Sequence, residues 1–276
     1  MYYRTTPSST GRGGSGCSGR LIMAAAIALF SIISYFGSKQ DNPITGETQY
    51  ISITPEQEIA LGLQATPQME AEFGGEDANA NDQATVDEVG NKVLHGSPAS
   101  NSPYQFEFHL LGDDQTINAF ALPGGQVFIT RALYDKLQTE GELAGVLGHE
   151  IGHVVARHSA EQIAKAQLTE GLTGAAVLAT YDPNNPASAN SAQIAALIGQ
   201  LVTLKFGRDD ELEADHYGVC FMNDAGYDPN EMVSVMQILE ASQTGNQPPE
   251  FFSTHPNPAN RIQRIQDSIQ NINSCP

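Results

Sequence analysis

Basic residues are scarce in this chain. Of its 276 residues, 13 are Lys or Arg and 32 are Asp or Glu. Four of the basic residues and none of the acidic ones lie before position 41, so from there onward nine basic residues face all 32 acidic ones. Such a negative surface repels phosphate groups and favours solubility. The composition therefore argues against nucleic acid as a partner.

Cysteine is scarce as well, with three residues in the chain. Cys17 precedes the apolar run near the N-terminus instead of following it, which excludes a lipoprotein signal. Cys220 and Cys275 can pair if the protein is exported, and the bond would then tie the C-terminal tail to a core helix. The alternative is a buried free thiol at Cys220 and a loose thiol in the tail.

Long apolar runs are limited to one, at residues 21–36, and a basic segment without acids precedes it at residues 1–20. This order is typical of a secretory signal, and the poor cleavage site after the run favours an uncleaved membrane anchor. A cleaved signal and a mitochondrial presequence are the alternatives. A second apolar stretch, at 167–202, is interrupted at 181–186, and neither half is long enough to span a bilayer, so we expect a helical hairpin on the core.

The length suits one catalytic domain plus a targeting segment. We predict a basic leader at residues 1–20, a signal sequence or N-terminal membrane anchor at 21–36, a polar linker at 37–52 and a single domain at 53–276. The domain is expected in the periplasm or another extracytoplasmic compartment, tethered to the inner membrane by residues 21–36. The mitochondrial inner membrane is the alternative location.

One stretch, predicted to be helical from about 139 to 164, carries the sequence HExxH at residues 149–153. Residues four apart lie on one face of a helix, so His149 and His153 can bind one metal ion, with Glu150 beside them. The motif also recurs by chance, and an ordinary helix is the alternative. Here apolar residues surround the polar stripe, and ionisable groups in a buried helix need a partner such as a metal ion.

A third ligand has to come from elsewhere, because the chain lacks the last histidine of the longer HExxHxxGxxH pattern. A second helix, predicted from 206 to about 223, places Glu211 and Asp215 on one face. Glu211 can complete a catalytic zinc site, and Asp215 can hold the outer nitrogen of a ligand histidine. The alternative is an acidic first turn that favours the helix dipole. His158 is expected to be a surface or helix-end histidine.

Alternating apolar residues predict a strand at 104–110, and two short segments follow at 117–122 and 126–130. We expect a small antiparallel sheet ahead of the HExxH helix. An edge strand beside a metal site can receive an extended peptide by main-chain pairing. The segment assigned to this role is Gly125, Gln126, Val127 and Phe128. The alternative is a plain hairpin in the core.

The joint pattern of HExxH, the later Glu-x-x-x-Asp pair and Arg208 just ahead of that pair resembles the zinc metallopeptidase family of HtpX and the CAAX prenyl proteases. Two other segments agree with that family, NAFALPGG at 118–125 and STHPNP at 253–258. The resemblance covers about residues 43–270 and is to the soluble, extracytoplasmic branch. The multi-span membrane portion of the prenyl proteases is missing, which argues against prenyl-protein processing.

We therefore predict an α+β, mainly helical fold of the gluzincin type, with a small antiparallel sheet packed beside the HExxH helix. The predicted activity is zinc-dependent endopeptidase cleavage of polypeptides, and the resemblance implies unfolded or misassembled proteins as substrates. The alternative is a protein-binding quality-control factor, or chaperone, with a blocked zinc site. An intact Glu150 opposes that alternative, because binding alone needs no general base.

One Zn²⁺ per chain is expected, held by His149, His153 and Glu211. Arg208 is expected to brace the active-site carboxylates. The resemblance implies that His255, in the loop before the last helix, lies near the zinc. It would either assist the transition state or act as a fourth ligand that closes the site. A loop histidine that orders the turn is the alternative.

Overall fold

The structure, a computed structural model, describes residues 15–180, 206–243, 248–257 and 259–275. The predicted second half of the helical hairpin, from residue 181 to 202, lies outside these ranges. The helices are α1 (Ser15–Gly37), α2 (Pro55–Glu72), α3 (Ala80–His95), α4 (Arg131–Tyr134), α5 (Glu140–Val155), α6 (His158–Thr180), α7 (Arg208–Asp224), α8 (Glu231–Ala241), α9 (Phe251–Thr254) and α10 (Arg261–Gln270). The strands are β1 (Lys39–Asp41), β2 (Thr48–Tyr50), β3 (Glu107–Leu111), β4 (Ala119–Ala121) and β5 (Gln126–Thr130). This is the mainly helical α+β architecture that the sequence predicts.

The predicted anchor forms most of α1. By length and composition, it is the one helix within the described ranges that could cross a membrane, over Gly19–Gly37. Large apolar side chains, among them Ile22 and Phe30, stay exposed along it. One side of α1 packs closely on α6, because a methyl group added at Gly171 would lie 2.1 Å from Ser31 Oγ. The helix begins and ends slightly beyond the apolar run predicted from sequence.

The segment predicted to be a linker contains a β-hairpin instead. β1 and β2 pair in antiparallel fashion. Asn42, which is buried, donates from Nδ2 to the carbonyl of Val155 at 2.7 Å, and the buried Gln49 side chain donates to the carbonyl of Ala156. These carbonyls lie at the C-terminal end of α5, where no further turn of the helix supplies backbone N–H donors. The segment predicted to be a polar linker is therefore structured, and its polar side chains satisfy the end of the HExxH helix.

Side chains cap the N-termini of helices α2 and α3. The Thr54 hydroxyl accepts from the backbone N–H of Gln57, and the Gln57 side chain accepts from the backbone N–H of Thr54. This reciprocal box precedes Pro55 at the first helical position, where a missing N–H costs nothing. Asn79 caps α3 in a similar way. The apolar face of α3, with Val89 at its centre, then packs into the core.

The sheet beside the HExxH helix is mixed. β5 lies in its centre, paired in antiparallel fashion with β4 and in parallel with β3. The tight turn between β4 and β5 uses Gly124 and Gly125, both at positive φ, a region that glycine adopts without steric cost. The predicted antiparallel pairing is confirmed for β4 and β5. The predicted antiparallel pairing is wrong for β3. The second strand of the β4–β5 hairpin, and not the first, lies next to β3, and the two run parallel.

The long helix predicted from about 139 to 164 is broken into α5 and α6. Arg157, between them, has φ 60, in the left-handed region that costs a non-glycine residue about 1–2 kcal/mol. Its guanidinium compensates by donating to the buried Glu58 carboxylate, with the Nε contact at 2.9 Å, and to the Ile53 carbonyl at 3.0 Å. The break changes the direction of the chain directly after the HExxH motif.

A disulfide joins Cys220 in α7 to Cys275 near the C-terminus, with their Cα atoms 5.6 Å apart. Of the two alternatives for these cysteines, pairing is confirmed. The core lies between α3, α5, α7, α8 and the mixed sheet. Its buried members include Val93, Phe108, Leu110, Ile129, Leu147, Ile151, Phe221, Met232 and Ile265. These contacts fix α5 and α7 against each other.

Candidate metal centre

Two histidines of α5 face the same point. His149 and His153 are one helical turn apart, both are buried, and their Nε2 atoms lie 3.0 Å from each other. Phe206, just before α7, stacks on the His153 ring with centroids 4.0 Å apart and planes inclined by 21°. The predicted pairing of the imidazoles follows from the four-residue spacing on one helix face.

Helix α7 brings a carboxylate to that point. Glu211 is fully buried, with Oε1 3.4 Å from His153 Nε2 and Oε2 3.7 Å from His149 Nε2. The two helices approach closely here because Gly152 faces the backbone of Ala214. A Cβ atom at Gly152 would lie only 2.9 Å from the Ala214 carbonyl oxygen. The absence of a side chain therefore lets the predicted third ligand reach the histidines.

The outer nitrogen of His149 is held by Asp215, whose Oδ1 lies 2.9 Å from Nδ1. Arg261, 2% exposed, donates from Nε and Nη2 to the two Asp215 oxygens at 2.7 and 2.9 Å. Its Nη1 lies 3.1 Å from Glu211 Oε2. The bracing role predicted for Arg208 is wrong, because that side chain is exposed in the first turn of α7. Arg261 braces both carboxylates instead.

His255 follows α9 and points into the same cluster. Its Nδ1 lies 3.3 Å from His149 Nε2 and 3.1 Å from Glu211 Oε1. The ring is buried and stacks on Phe251 with centroids 4.4 Å apart. One ligand atom from each of His149, His153, Glu211 and His255 lies within 4.8 Å of the others, so the four could hold one metal ion.

Several buried polar atoms around this cluster have no hydrogen-bond partner in the described part of the chain. They include both carboxylate oxygens of Glu150 and Nε2 of His255. Buried polar atoms in folded proteins nearly always have a partner, so these atoms fit an ion with its associated water. Two imidazoles and one carboxylate also form a common ligand set for zinc. The residues present therefore fit the metal that the motif implies.

Burial and charge act differently on the two glutamates. Burial raises the pKa of Glu150 above its usual value. Burial also acts on Glu211, but His255 and Arg261 outweigh it and hold the pKa of that carboxyl well below its usual range. Burial opposes a charge on His255, yet Glu211 and Glu150 raise the pKa of that imidazole. Glu211 thus stays an anion suited to a metal, whereas Glu150 has the higher proton affinity that suits a general base.

His158 lies at the start of α6, as the expected helix end, but it is buried in the centre instead of lying at the surface. It is 1% exposed, and its Nδ1 lies 2.8 Å from Nδ1 of His153. Its Nε2 lies 3.4 Å from Oε2 of Glu213. In a continuous helix, residues five apart point about 140° away from each other, so helix periodicity cannot place His158 beside His153. The change of direction at Arg157 does so.

The strand predicted to receive substrate is not an edge strand. Gln126, Val127 and Phe128 belong to β5, which is paired on both sides, and Gly125 lies in the turn before it. The predicted edge position is therefore wrong, because alternation along a strand does not reveal which strand lies in the centre of a sheet. Among the strands that the structure describes, β4 is the edge strand on the side of the metal cluster, and its three residues are largely buried.

The main-chain groups of β4 alternate between its partner and that open edge. Its register with β5 and the flanking backbone bond from Leu122 N–H to the Gln126 carbonyl place the bonded pairs at alternate residues. Ala119 and Ala121 therefore direct their N–H and C=O groups away from β5. A cavity lies along this strand, and its lining includes Phe120 and His255. An extended chain paired with this edge would lie beside the metal cluster.

Comparison with known proteins agrees with this geometry. The sequence model of Peptidase family M48 matches residues 80–269. The beta-barrel assembly-enhancing protease of Yersinia pestis is 34% identical over 197 residues, which is 69% of this chain and 40% of that protein. The Escherichia coli K12 protein of the same name is 32% identical over 188 residues, 64% of this chain and 37% of that protein. The mitochondrial metalloendopeptidase OMA1 of Schizosaccharomyces pombe is 29% identical over 252 residues, 90% of this chain and 70% of that protein. The chain thus spans well under half the length of the first two.

Proposed function

The chain belongs to Peptidase family M48, and on that premise we propose that it is a zinc-dependent endopeptidase that degrades unfolded or misassembled proteins. One observation carries the proposal. His149, His153 and Glu211 converge on one buried point, and beside it lies the carboxylate of Glu150, which has no hydrogen-bond partner among the described residues. A helix that only binds a metal would have no need of this additional buried carboxylate, which lies 3.7 Å from His255 Nε2.

The chemistry follows from the roles of these side chains. When bound, a zinc ion would polarise the scissile carbonyl and lower the pKa of a water molecule toward about 7. His149, His153 and Glu211 would hold the ion. Glu150 takes the proton of the water as it attacks, and then delivers that proton to the leaving nitrogen. Burial raises the pKa of Glu150, which favours the protonated carboxyl that forms after the proton has been taken from the water.

Asp215 and Arg261 position the ligands without taking part in the chemistry. Because Asp215 accepts from Nδ1 of His149, the ring keeps its proton on that side and presents Nε2 to the metal. Arg261 makes a bidentate contact with Asp215 and also neutralises the charge of Glu211. The negative charge of the two buried carboxylates is thus partly balanced before any metal binds.

Substrate recognition is proposed to use the open edge of β4. The main-chain groups of Ala121, which is 9% exposed at this edge, point away from β5 and can pair with an extended peptide, and the strand borders the cavity next to His255. Recognition by main-chain pairing depends on the conformation of the peptide more than on its sequence. A folded protein cannot supply a free extended segment, so this mode of binding selects unfolded or misassembled polypeptides.

Attachment to a membrane is proposed through residues 21–36, with residues 1–20 as a basic leader and the peptidase domain after the hairpin at 39–50. The apolar, largely exposed α1 supports this arrangement. We place the domain in the periplasm or another extracytoplasmic compartment. Two relatives are named as proteases that enhance β-barrel assembly and a third as a mitochondrial metalloendopeptidase, so the mitochondrial inner membrane is the second location to test.

The proposal is tested with one substrate in two conformations. Native lactalbumin and its reduced, carboxymethylated, unfolded form are incubated with the full chain in detergent and with Glu150→Gln. We expect cleavage of the unfolded form alone, and by the unmutated protein alone. Equal cleavage of both forms would contradict selection for unfolded chains, and cleavage by the Gln variant at an undiminished rate would contradict the role of Glu150.

A second function, binding of unfolded chains with cleavage blocked, is favoured by one observation. His255 contributes a fourth ligand atom, the third nitrogen beside the Glu211 carboxylate, and a closed four-ligand site is the structural type of zinc site. In that case the unmutated protein would bind the carboxymethylated substrate without cutting it. Cleavage by the unmutated protein would exclude this second function.

A further inference from the structure

We propose that His158, supported by Glu213, is the positioning residue that fixes the tautomer and orientation of the metal ligand His153. The inference rests on the proposed metal site and extends it to the second histidine of the motif. The two ligand histidines have different outer partners: a carboxylate, that of Asp215, for His149, and another imidazole for His153.

The direction of each hydrogen bond follows from the metal site. His153 presents Nε2 to the cluster, where it lies 3.4 Å from Glu211 Oε1, so its proton has to sit on Nδ1 when the ring binds a metal. That proton points at His158 Nδ1, 2.8 Å away, which must then accept. His158 in turn carries its proton on Nε2, and Glu213 Oε2 lies 3.4 Å from that atom. Every donor in this series thus meets an acceptor.

The surroundings hold His158 in this place. The residue is 1% exposed and begins α6, directly after the left-handed Arg157. The Arg157 side chain is anchored on the buried Glu58, so the unusual backbone conformation that turns His158 toward His153 is itself fixed. Phe206 covers the other face of the His153 ring. The ring of His153 is therefore held by its face and by its outer nitrogen.

The chemistry of an imidazole differs from that of a carboxylate in this position. A carboxylate accepts whatever the tautomer of its partner, whereas a neutral imidazole accepts only at its unprotonated nitrogen. Glu213 therefore matters, because it favours the tautomer of His158 that leaves Nδ1 free to accept. Outer partners of metal ligands of this kind typically contribute about 10–100-fold to metal affinity.

The test compares His158→Leu with His158→Gln in the full-length protein in detergent. Leucine fills similar space but cannot accept a hydrogen bond, whereas the glutamine carbonyl can accept from His153 and its amide can donate to Glu213. Zinc dissociation constants are measured by competition with a chelator. We expect a loss of about 10–100-fold for the leucine variant and of at most about threefold for the glutamine variant.

Two further readouts separate positioning from a general effect on folding. Thermal unfolding in EDTA should give similar midpoints for the two variants, and ¹⁵N-labelled histidine spectra should place the proton of His153 on Nδ1 in the unmutated zinc protein and in the Gln variant. Equal zinc affinities for the two variants, or a proton on Nε2 of His153, would overturn the inference. Absence of zinc from the unmutated protein would instead overturn the proposed function.

Discussion

Replacement of Arg261 by glutamine should destabilise the protein strongly, even without metal. The guanidinium is 2% exposed and makes three contacts with buried carboxylates, at 2.7 and 2.9 Å to Asp215 and at 3.1 Å to Glu211. Glutamine removes the positive charge and leaves both carboxylates buried without their cation. The perturbation therefore acts on electrostatics more than on packing volume.

The size of the effect follows from the burial of the pair. Removal of one partner of a buried ion pair costs about 3–5 kcal/mol, because the remaining charge is left without compensation. For a protein of this size, 1 kcal/mol corresponds to about 2–4 °C in the unfolding midpoint, so Arg261→Gln should lower the midpoint by about 6–20 °C. Arg261→Lys keeps the charge but loses the two-pronged contact, and it should cost about 1.5–3 kcal/mol, the worth of a hydrogen bond to a charged group.

The assay is thermal unfolding followed by circular dichroism, in EDTA so that metal binding does not contribute. Asp215→Asn and the double variant with Arg261→Gln complete a cycle. Because the two side chains contact each other, the double variant should lose less than the sum of the single losses, with a coupling of about 0.5–3 kcal/mol. A midpoint within about 2 °C of the unmutated protein for Arg261→Gln, or losses that simply add, would refute the assigned bracing role.

Three other changes have defined outcomes. The carboxyl of Asp77 has a pKa lowered chiefly by its hydrogen bonds to Arg131, so the pair stabilises the fold above pH 3.8 and loses that contribution as pH falls through the lowered pKa. Asp77→Asn should cost about 1 kcal/mol in urea unfolding at pH 7 and progressively less below pH 3.8, and a pH-independent cost would contradict this. Gly152→Ala should weaken zinc binding, because its Cβ would lie 2.9 Å from opposing backbone in α7, whereas Gly145→Ala, with a nearest contact of 3.4 Å, should bind zinc normally; equal affinities would rule out the proposed tight approach. His255→Ala should raise the rate of cleavage of an unfolded substrate by opening a coordination position, and unchanged cleavage together with unchanged zinc affinity would exclude a role for this histidine at the metal.

The parts of the site that depend on one helix could be predicted from the sequence. The four-residue spacings place His149 with His153 and Glu211 with Asp215, since side chains one turn apart share a face. The ends of α2 and the start of β5 follow equally from local capping and turn residues. Patterns within a single helix or turn can be predicted because the local backbone geometry fixes where their side chains lie.

The parts that depend on contacts between distant segments could not be predicted. Arg261 reaches the carboxylates from the last helix, and no spacing rule connects it to α7. His158 reaches His153 only because of the left-handed residue between α5 and α6, a position without a glycine to signal it. The order of strands is likewise set by how a hairpin docks, which is why the central β5 was mistaken for an edge.

The central claim is that this centre holds one zinc ion and that Glu150 uses it to hydrolyse peptide bonds. It is tested most directly by the zinc content per chain and the cleavage of unfolded substrate, measured side by side in the unmutated protein, Glu150→Gln and Glu211→Gln. We predict one zinc in the first two, reduced zinc in the third, and cleavage by the unmutated protein alone. An unmutated protein without zinc, or a Glu150→Gln variant that cleaves as fast as the unmutated protein, would contradict the account.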